Sequence, residues 1–245
     1  IDAGRKLGLY HKYVQDFNCG AGSPKTITLL DTTDQQLEAA YTELVRSEQQ
    51  GDAAIAEHIK GIQEMLPKIK EHVASHPLDD FVQHHFHADY HRGNLLFAID
   101  GEVTCILDFE AAYKHGQRVI DLATALYNFS IKYSPEGMFE EVDRERFVGF
   151  VRGYEEVNPL AQAEKNALID AVITSRIDYF CWFVKSHIAG EEKAHLIKEY
   201  SHAIKLFYEQ RDDLTNILLD VTFPIPSYRV LTSDTDPEQL YKNGA

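Results

Sequence analysis

The amino-acid sequence predicts an α+β fold that is mostly helical, with a small β-hairpin near its middle. Apolar residues recur at helical spacing through most of the 245 residues. Three short apolar runs cluster between positions 82 and 107, two of them around the turn pair Asp100-Gly101. The chain opens directly on a helical pattern, with no strand-rich segment ahead of it.

Leu7, Tyr10, Val14 and Phe17 fall on one helical face. Gly20 to Lys25 is Gly-rich, but it follows a helix instead of a strand and lacks phosphate-loop spacing, so it reads as a loop. Leu37, Tyr41, Leu44 and Val45 form an amphipathic stripe. Ile55, Ile59, Ile62, Leu66, Ile69 and Val73 form another, expected to be interrupted or kinked near Pro67. Val82 to Phe86 reads as a short strand. Leu95 to Ala98 and Val103 to Leu107 read as a hairpin, with Cys105 expected to face the core. Gly116 to Ile120 leads into a helix running through Asp121 to about Phe129, and Pro135-Glu136-Gly137 marks a loop. Phe147, Phe150, Val151 and Tyr154 predict a helix that stops before Asn158-Pro159. Two long helical patterns, from Ala161 to about Ile188 and from Glu191 to Leu219, are separated by Gly190 and predict an antiparallel pair. Residues 224–245 read as an extended or poorly ordered tail.

The formal charge of −15, from 24 basic against 39 acidic residues, excludes nucleic acid as a partner, because binding it needs a basic surface. The same acidity either serves solubility alone or favours a cationic small molecule by long-range attraction. No apolar run approaches the ~20 residues needed to span a bilayer, which excludes a membrane-spanning helix. Cys19, Cys105 and Cys181 are odd in number and widely spaced, as expected of reduced thiols in a cytoplasmic protein.

The chemistry concentrates in His87-Ala88-Asp89-Tyr90-His91-Arg92-Gly93-Asn94, followed after the hairpin by Asp108-Phe109-Glu110. An Asp, an Asn five positions later and a second Asp at the next strand end form a phosphoryl-transfer pattern. The first Asp orients an attacking hydroxyl; the Asn and second Asp offer oxygen ligands to Mg²⁺. One hairpin strand begins after Asn94 and the other ends before Asp108, so pairing should set the two side by side. A competing pattern is zinc binding by His84, His85, His87, Asp89 and His91. It nearly spells the dinuclear hydrolase motif H-x-H-x-D-H, but Tyr90 displaces His91 by one position and Asn94 and Asp108 are left without a role.

The runs His87-Ala88-Asp89 to Asn94-Leu95-Leu96-Phe97, Ile106-Leu107-Asp108-Phe109-Glu110 and Asp121-Leu122-Ala123 resemble the aminoglycoside phosphotransferase family, which includes choline kinase-like and type II homoserine kinase-like enzymes and has a protein-kinase-like fold. The close resemblance covers about residues 83 to 125. It implies Asp89 as catalytic base, Asn94 and Asp108 as Mg²⁺ ligands in ATP binding (ATP ahead of GTP), and Asp121 as a brace for the catalytic loop. In that picture His87 is structural and hydrogen-bonds the loop backbone. Arg92 stands where many relatives carry Pro, and Glu110 where protein kinases carry Gly. The resemblance further implies a kinase-like C-lobe over residues 1–223, with a helical insertion at about 34–76, a helix pair at about 161–219 and the tail beyond. The nucleotide-covering N-terminal β-lobe and its Lys are expected to be absent, leaving a fragment with little activity of its own. Acceptor contacts are expected from Tyr90 and His91 in the loop and from Asp178, Tyr179 and Trp182, where a carboxylate beside aromatic faces suits a cation. Arg118 and Lys114 read as plain surface residues ahead of phosphate contacts. The expected activity is ATP-dependent phosphorylation of a small-molecule hydroxyl (aminoglycoside, amino alcohol, homoserine or sugar). The alternative is a catalytically silent kinase-like binding or regulatory module, and a metal-dependent hydrolase stands behind both.

Overall fold

The computed structural model describes residues 1–15, 25–26, 33–46, 52–75, 83–110, 112, 114–134 and 139–220. The expected Gly-rich loop up to Pro24, the Pro135–Gly137 loop and the tail from 224 lie outside them. The chain is mostly helical, with small two- and three-stranded sheets.

Helix α1 (Asp2–Val14) leads to the two-residue strand β1 (Lys25–Thr26), then α2 (Thr33–Arg46) and α3 (Asp52–Ser75). Strand β2 (Gln83–His85) enters a loop that ends in a 3₁₀ turn, Arg92–Asn94, followed by the hairpin β3 (Leu95–Phe97) and β4 (Val103–Ile106). Strand β5 (Lys114–Gln117) runs straight into α4 (Arg118–Ser130), and a second hairpin, β6 (Ile131–Tyr133) and β7 (Phe139–Val142), precedes α5 (Arg144–Glu155). Helices α6 (Gln162–Ile188), α7 (Ala194–Glu209) and α8 (Arg211–Asp220) complete the described chain. β5 pairs parallel with β1 and antiparallel with β2.

The core sits where α4 and α6 cross. Leu122, Ala123, Ala125 and Leu126 of α4 are fully buried, as are Leu168, Ile169, Val172, Ile173 and Ile177 of α6. Polar residues of α6 are buried too, because α4, α7 and α8 pack around it and α2 and α3 touch it as well. The expected insertion holds α2 and α3, which pack on each other and on α6. At the other edge, α1 lies so close to α5 that a Cβ on Gly4 would collide with the Phe150 carbonyl, and one on Gly153 with the Ile1 carbonyl.

Several expectations change. α3 runs unbroken through Pro67, because Ile62, Leu66 and Ile69 are all buried around it and outweigh the lost hydrogen bond. Cys105 is exposed: its strand buries Val103 inward, while Cys105 and its cross-strand partner Leu96 lie on the open face. The expected helix from Glu191 to Leu219 is two helices, broken at Gln210. Arg118 is not a surface residue. It is buried, donates from Nε and Nη2 to Glu164 at 2.7 and 2.6 Å, and bonds Asn158 and the Pro159 carbonyl. A guanidinium so engaged does not reach for phosphate. β5, β6 and β7 are strands that periodicity did not predict.

Candidate active site

The loop from Phe86 to Asn94 links the three-stranded sheet to the β3–β4 hairpin, and its shape starts with Ala88. At φ +66° Ala88 occupies the left-handed region, which costs a residue bearing a Cβ about 1–2 kcal/mol. A buried carboxylate holds it there. Asp121, in the first turn of α4, accepts the N–H of His87 at 2.7 Å and of Ala88 at 2.8 Å. It also accepts from Nε2 of His11 at 2.9 Å, while Nδ1 of His11 lies 2.8 Å from the Tyr154 hydroxyl. Burial alone would raise the Asp121 carboxyl; the bond and charge of His11, with the two backbone N–H groups, outweigh it and keep the pKa below the ordinary value. The positive end of α4 favours the same ionised form.

The rest of the loop is tied down one bond at a time. Nδ1 of His87 accepts from Asp89 N at 3.3 Å, so its Nε2 carries the proton and donates to the Leu107 carbonyl at 2.8 Å. Tyr90 is fully buried and donates its hydroxyl to the Ala3 carbonyl at 2.7 Å; Asn128 donates to the Tyr90 carbonyl at 3.1 Å. Tyr90 was expected as a substrate contact, and its ring is instead a packing anchor between α1 and the loop. His91 caps the 3₁₀ turn: its Nδ1 accepts from Gly93 N at 3.0 Å, leaving Nε2 3.4 Å from Asp89 Oδ2. With both ring nitrogens of His87 engaged in the loop, a zinc site built on this histidine row loses its central ligand. Among the described residues, no group of three His, Cys, Asp or Glu side chains converges to hold a metal.

Asp89 presents a half-exposed carboxylate at the loop surface. Asn94 donates its amide N–H to the Asp89 carbonyl at 2.9 Å and to Asp89 Oδ2 at 3.1 Å. Those bonds orient the amide, so its oxygen points away from Asp89 with its lone pairs available. The hairpin places Asp108 as its register requires: Leu95 pairs with Ile106, and Leu107 N donates to the Asn94 carbonyl at 2.8 Å. Asp108 follows at once at φ +61°, a conformation Asp tolerates better than most residues, and it is exposed. An amide oxygen and a carboxylate on adjoining strand ends are hard donors suited to Mg²⁺ that keeps several waters. Beside them Leu96, Phe97, Leu107 and Phe109 expose apolar surface.

Of the residues expected on α6, Tyr179 lies nearest this chemistry, since the charges of Asp89 and Asp121 add to burial in raising its hydroxyl pKa. Asp178 and Trp182, one helical turn apart, face solvent. Burial by neighbouring mass raises the Asp178 carboxyl to about 6 even so, against the charge of Arg176. Lys114 lies on β5 and its side chain is outside the described residues. Sequence reasoning gave no role to His11, Tyr154 or Asn128. The signal for His11 was its i+4 spacing from Leu7 on the buried face of α1.

A mostly helical α+β body carrying such a loop and hairpin is a kinase-like fold. The phosphotransferase enzyme family matches residues 2–160, more than half of the chain, and the chain belongs to that family. It therefore stands among the kinase and phosphotransferase enzymes. No curated protein matches the chain. No helix among the described residues is long and apolar enough to cross a membrane.

Proposed function

We propose that this protein transfers the γ-phosphoryl group of ATP to a hydroxyl of a small molecule in the cytoplasm. The observation that carries this reading is the pair of hydrogen bonds from Asn94 to Asp89, which hold the amide beside the half-exposed carboxylate, with Asp108 next in chain to the Leu107 N–H that bonds the Asn94 carbonyl. Asp89 accepts a hydrogen bond from the acceptor hydroxyl and takes its proton late, so that positioning counts for more than basicity. Asn94 and Asp108 would hold Mg²⁺, which when bound neutralises charge on the nucleotide phosphates. The apolar surface of Leu96, Leu107 and Phe109 adjoins Asp108 and suits the flat face of a nucleobase. His87 and Asp121 keep the loop backbone in the geometry Asp89 requires. Free Cys105 and Cys181 accord with a reducing compartment.

The test is ADP release by the protein expressed from its whole reading frame, screened against small alcohols. Asp89→Ala should lower kcat by about 10²–10⁴-fold with nucleotide binding retained. Asp108→Ala should abolish Mg²⁺-dependent nucleotide binding. Unchanged turnover in the first variant would end the assignment of the base, and unchanged magnesium dependence in the second would end that of the metal ligand.

A further inference from the structure

Arg176, on α6, is 1% exposed, and no carboxylate among the described residues pairs with it. Its Nε lies 3.4 Å from Ser175 Oγ and its Nη2 3.5 Å from Thr124 Oγ1, both at the outer limit of a hydrogen bond, and the Tyr200 hydroxyl is a third acceptor in reach, all of them neutral. The guanidinium carbon sits over the rings of Tyr127 at 4.2 Å, Tyr179 at 4.7 Å and Tyr200 at 5.7 Å. Ring faces offset part of the cost of burying a cation, but they do not use the in-plane N–H fork, which matches carboxylate or phosphate oxygens two at a time. A second polar group in the same cage is unsatisfied: the buried Tyr127 hydroxyl has no hydrogen-bond partner. Two adjacent buried groups with unused hydrogen-bonding capacity mark a place prepared for something else.

The position fits the reaction. Thr124 stands one turn beyond Asp121 on α4, and Asn128, next to Tyr127, holds the loop carbonyl of Tyr90. Tyr179 is within range of the Asp89 charge. Tyr179 and Tyr200 are half-buried, with ring centroids 6.0 Å apart, and form the outer wall of the cage. The long-range field of an acidic chain favours cationic acceptors, but the charge held under these rings is positive.

We propose that Arg176, with Tyr127 and Tyr179, forms an anion subsite that receives a carboxylate or phosphate group carried by the phosphate acceptor. This rests on the phosphotransferase reading for its position relative to Asp89, but not for the binding itself. Asp178 is no substitute for the missing anion, since its carboxylate faces solvent without an ion pair to Arg176.

The test titrates the protein expressed from its whole reading frame with two matched probe pairs, 4-hydroxybutanoate against 1,4-butanediol and glycerol 3-phosphate against glycerol, by calorimetry. One charged member should bind at least tenfold more tightly than its neutral partner, and which one it is separates carboxylate from phosphate. Arg176→Met should erase that preference. Tyr127→Phe should melt at the same or a higher temperature, having lost an unsatisfied buried hydroxyl, yet bind the charged probe several-fold more weakly. A cage that is merely structural would change stability alone. The proposal is overturned if neither charged probe is preferred or if the preference survives Arg176→Met. Should that variant not fold, unchanged affinity in Tyr127→Phe overturns it. With ATP and Mg²⁺ added, ADP formation from neutral or cationic acceptors only would sink the subsite and leave phosphotransfer standing. Tight binding of a charged probe with no ADP from any acceptor would support the subsite and count against phosphotransfer.

Discussion

Asp121→Asn isolates the strut behind the loop. The carboxylate accepts three bonds of 2.7, 2.8 and 2.9 Å, two of them from the backbone of His87 and Ala88. An amide of the same shape retains one acceptor oxygen and turns an N–H₂ toward groups that can only donate. With the amide oxygen in the place of Oδ2, the bonds from His87 and His11 survive in neutral form, each weakened by about 1 kcal/mol, and the bond from Ala88 is lost at about 1.5–3 kcal/mol. Removing a buried charge recovers some desolvation energy, so the net loss should be about 3 kcal/mol. Urea unfolding measures it, with Asp108→Asn as the exposed control, expected to change stability by no more than about 0.5 kcal/mol. Hydrogen exchange supplies a local readout: the amides of His87 and Ala88 should lose protection ahead of the α4–α6 core. A loss below about 1 kcal/mol, with those amides still protected, would refute the idea that Asp121 holds Ala88 in its left-handed conformation.

The same carboxylate fixes a sign for acid. Its folded pKa lies below the ordinary 3.8, so it contributes stability fully present above that value and lost as pH falls through the lower, folded one. The wild type should weaken on acidification below about pH 4 more steeply than Asp121→Asn. Parallel curves would assign the acid loss to other groups.

Gly4→Ala puts a methyl group into the Phe150 carbonyl, where backbone cannot yield cheaply, and should cost about 3 kcal/mol in urea unfolding. Since α1 carries His11 and the Ala3 carbonyl that Tyr90 bonds, kcat should fall as well. Glu164→Ala strands the buried Arg118 guanidinium and should destabilise by about 3–5 kcal/mol, visible as a lower Tm. Asp178 has the opposite sign to Asp121: raised to about 6, it lends most stability below its unfolded pKa and loses it as pH rises through 6. Asp178→Asn should therefore raise Tm at pH 7.5 but not at pH 4, by a small amount because the side chain meets solvent.

Long amphipathic helices and the hairpin were legible because each carries its own period and turn chemistry. Ile55 to Ile69 spell α3 whatever packs on it, and Asp100-Gly101 fixes where β3 turns into β4. Asp89, Asn94 and Asp108 were legible for the same local reason, since one loop and one hairpin place them all. What escaped notice depends on partners distant in sequence. β5 is Lys-His-Gly-Gln, with no strand period, and exists because β1 and β2 flank it. Cys105 looked like a core residue by alternation, but which hairpin face is covered depends on the rest of the fold. Tyr90 sits among reactive residues in sequence, and only the approach of α1 shows that its hydroxyl is spent on Ala3. Gly4 and Gly8 were the one local hint of that approach, a pair of small residues one helical turn apart.

Two aspartates of identical chemistry divide the work of this site by environment. Asp121 is wholly buried, and each of its oxygens accepts a backbone N–H, so it cannot exchange partners without unfolding the loop. Asp89 is half exposed, with Asn94 at 3.1 Å and His91 at 3.4 Å both on Oδ2, which leaves the other carboxylate oxygen to meet a hydroxyl. Ala88, at φ +66° between His87 and Asp89, is where the loop passes from the backbone bonds to Asp121 to the half-exposed Asp89. Double substitution at Asp89 and Asp121 should thus be additive in stability, because the two carboxylates share no partner, and non-additive in turnover, because Asp89 acts only from the loop geometry that Asp121 maintains.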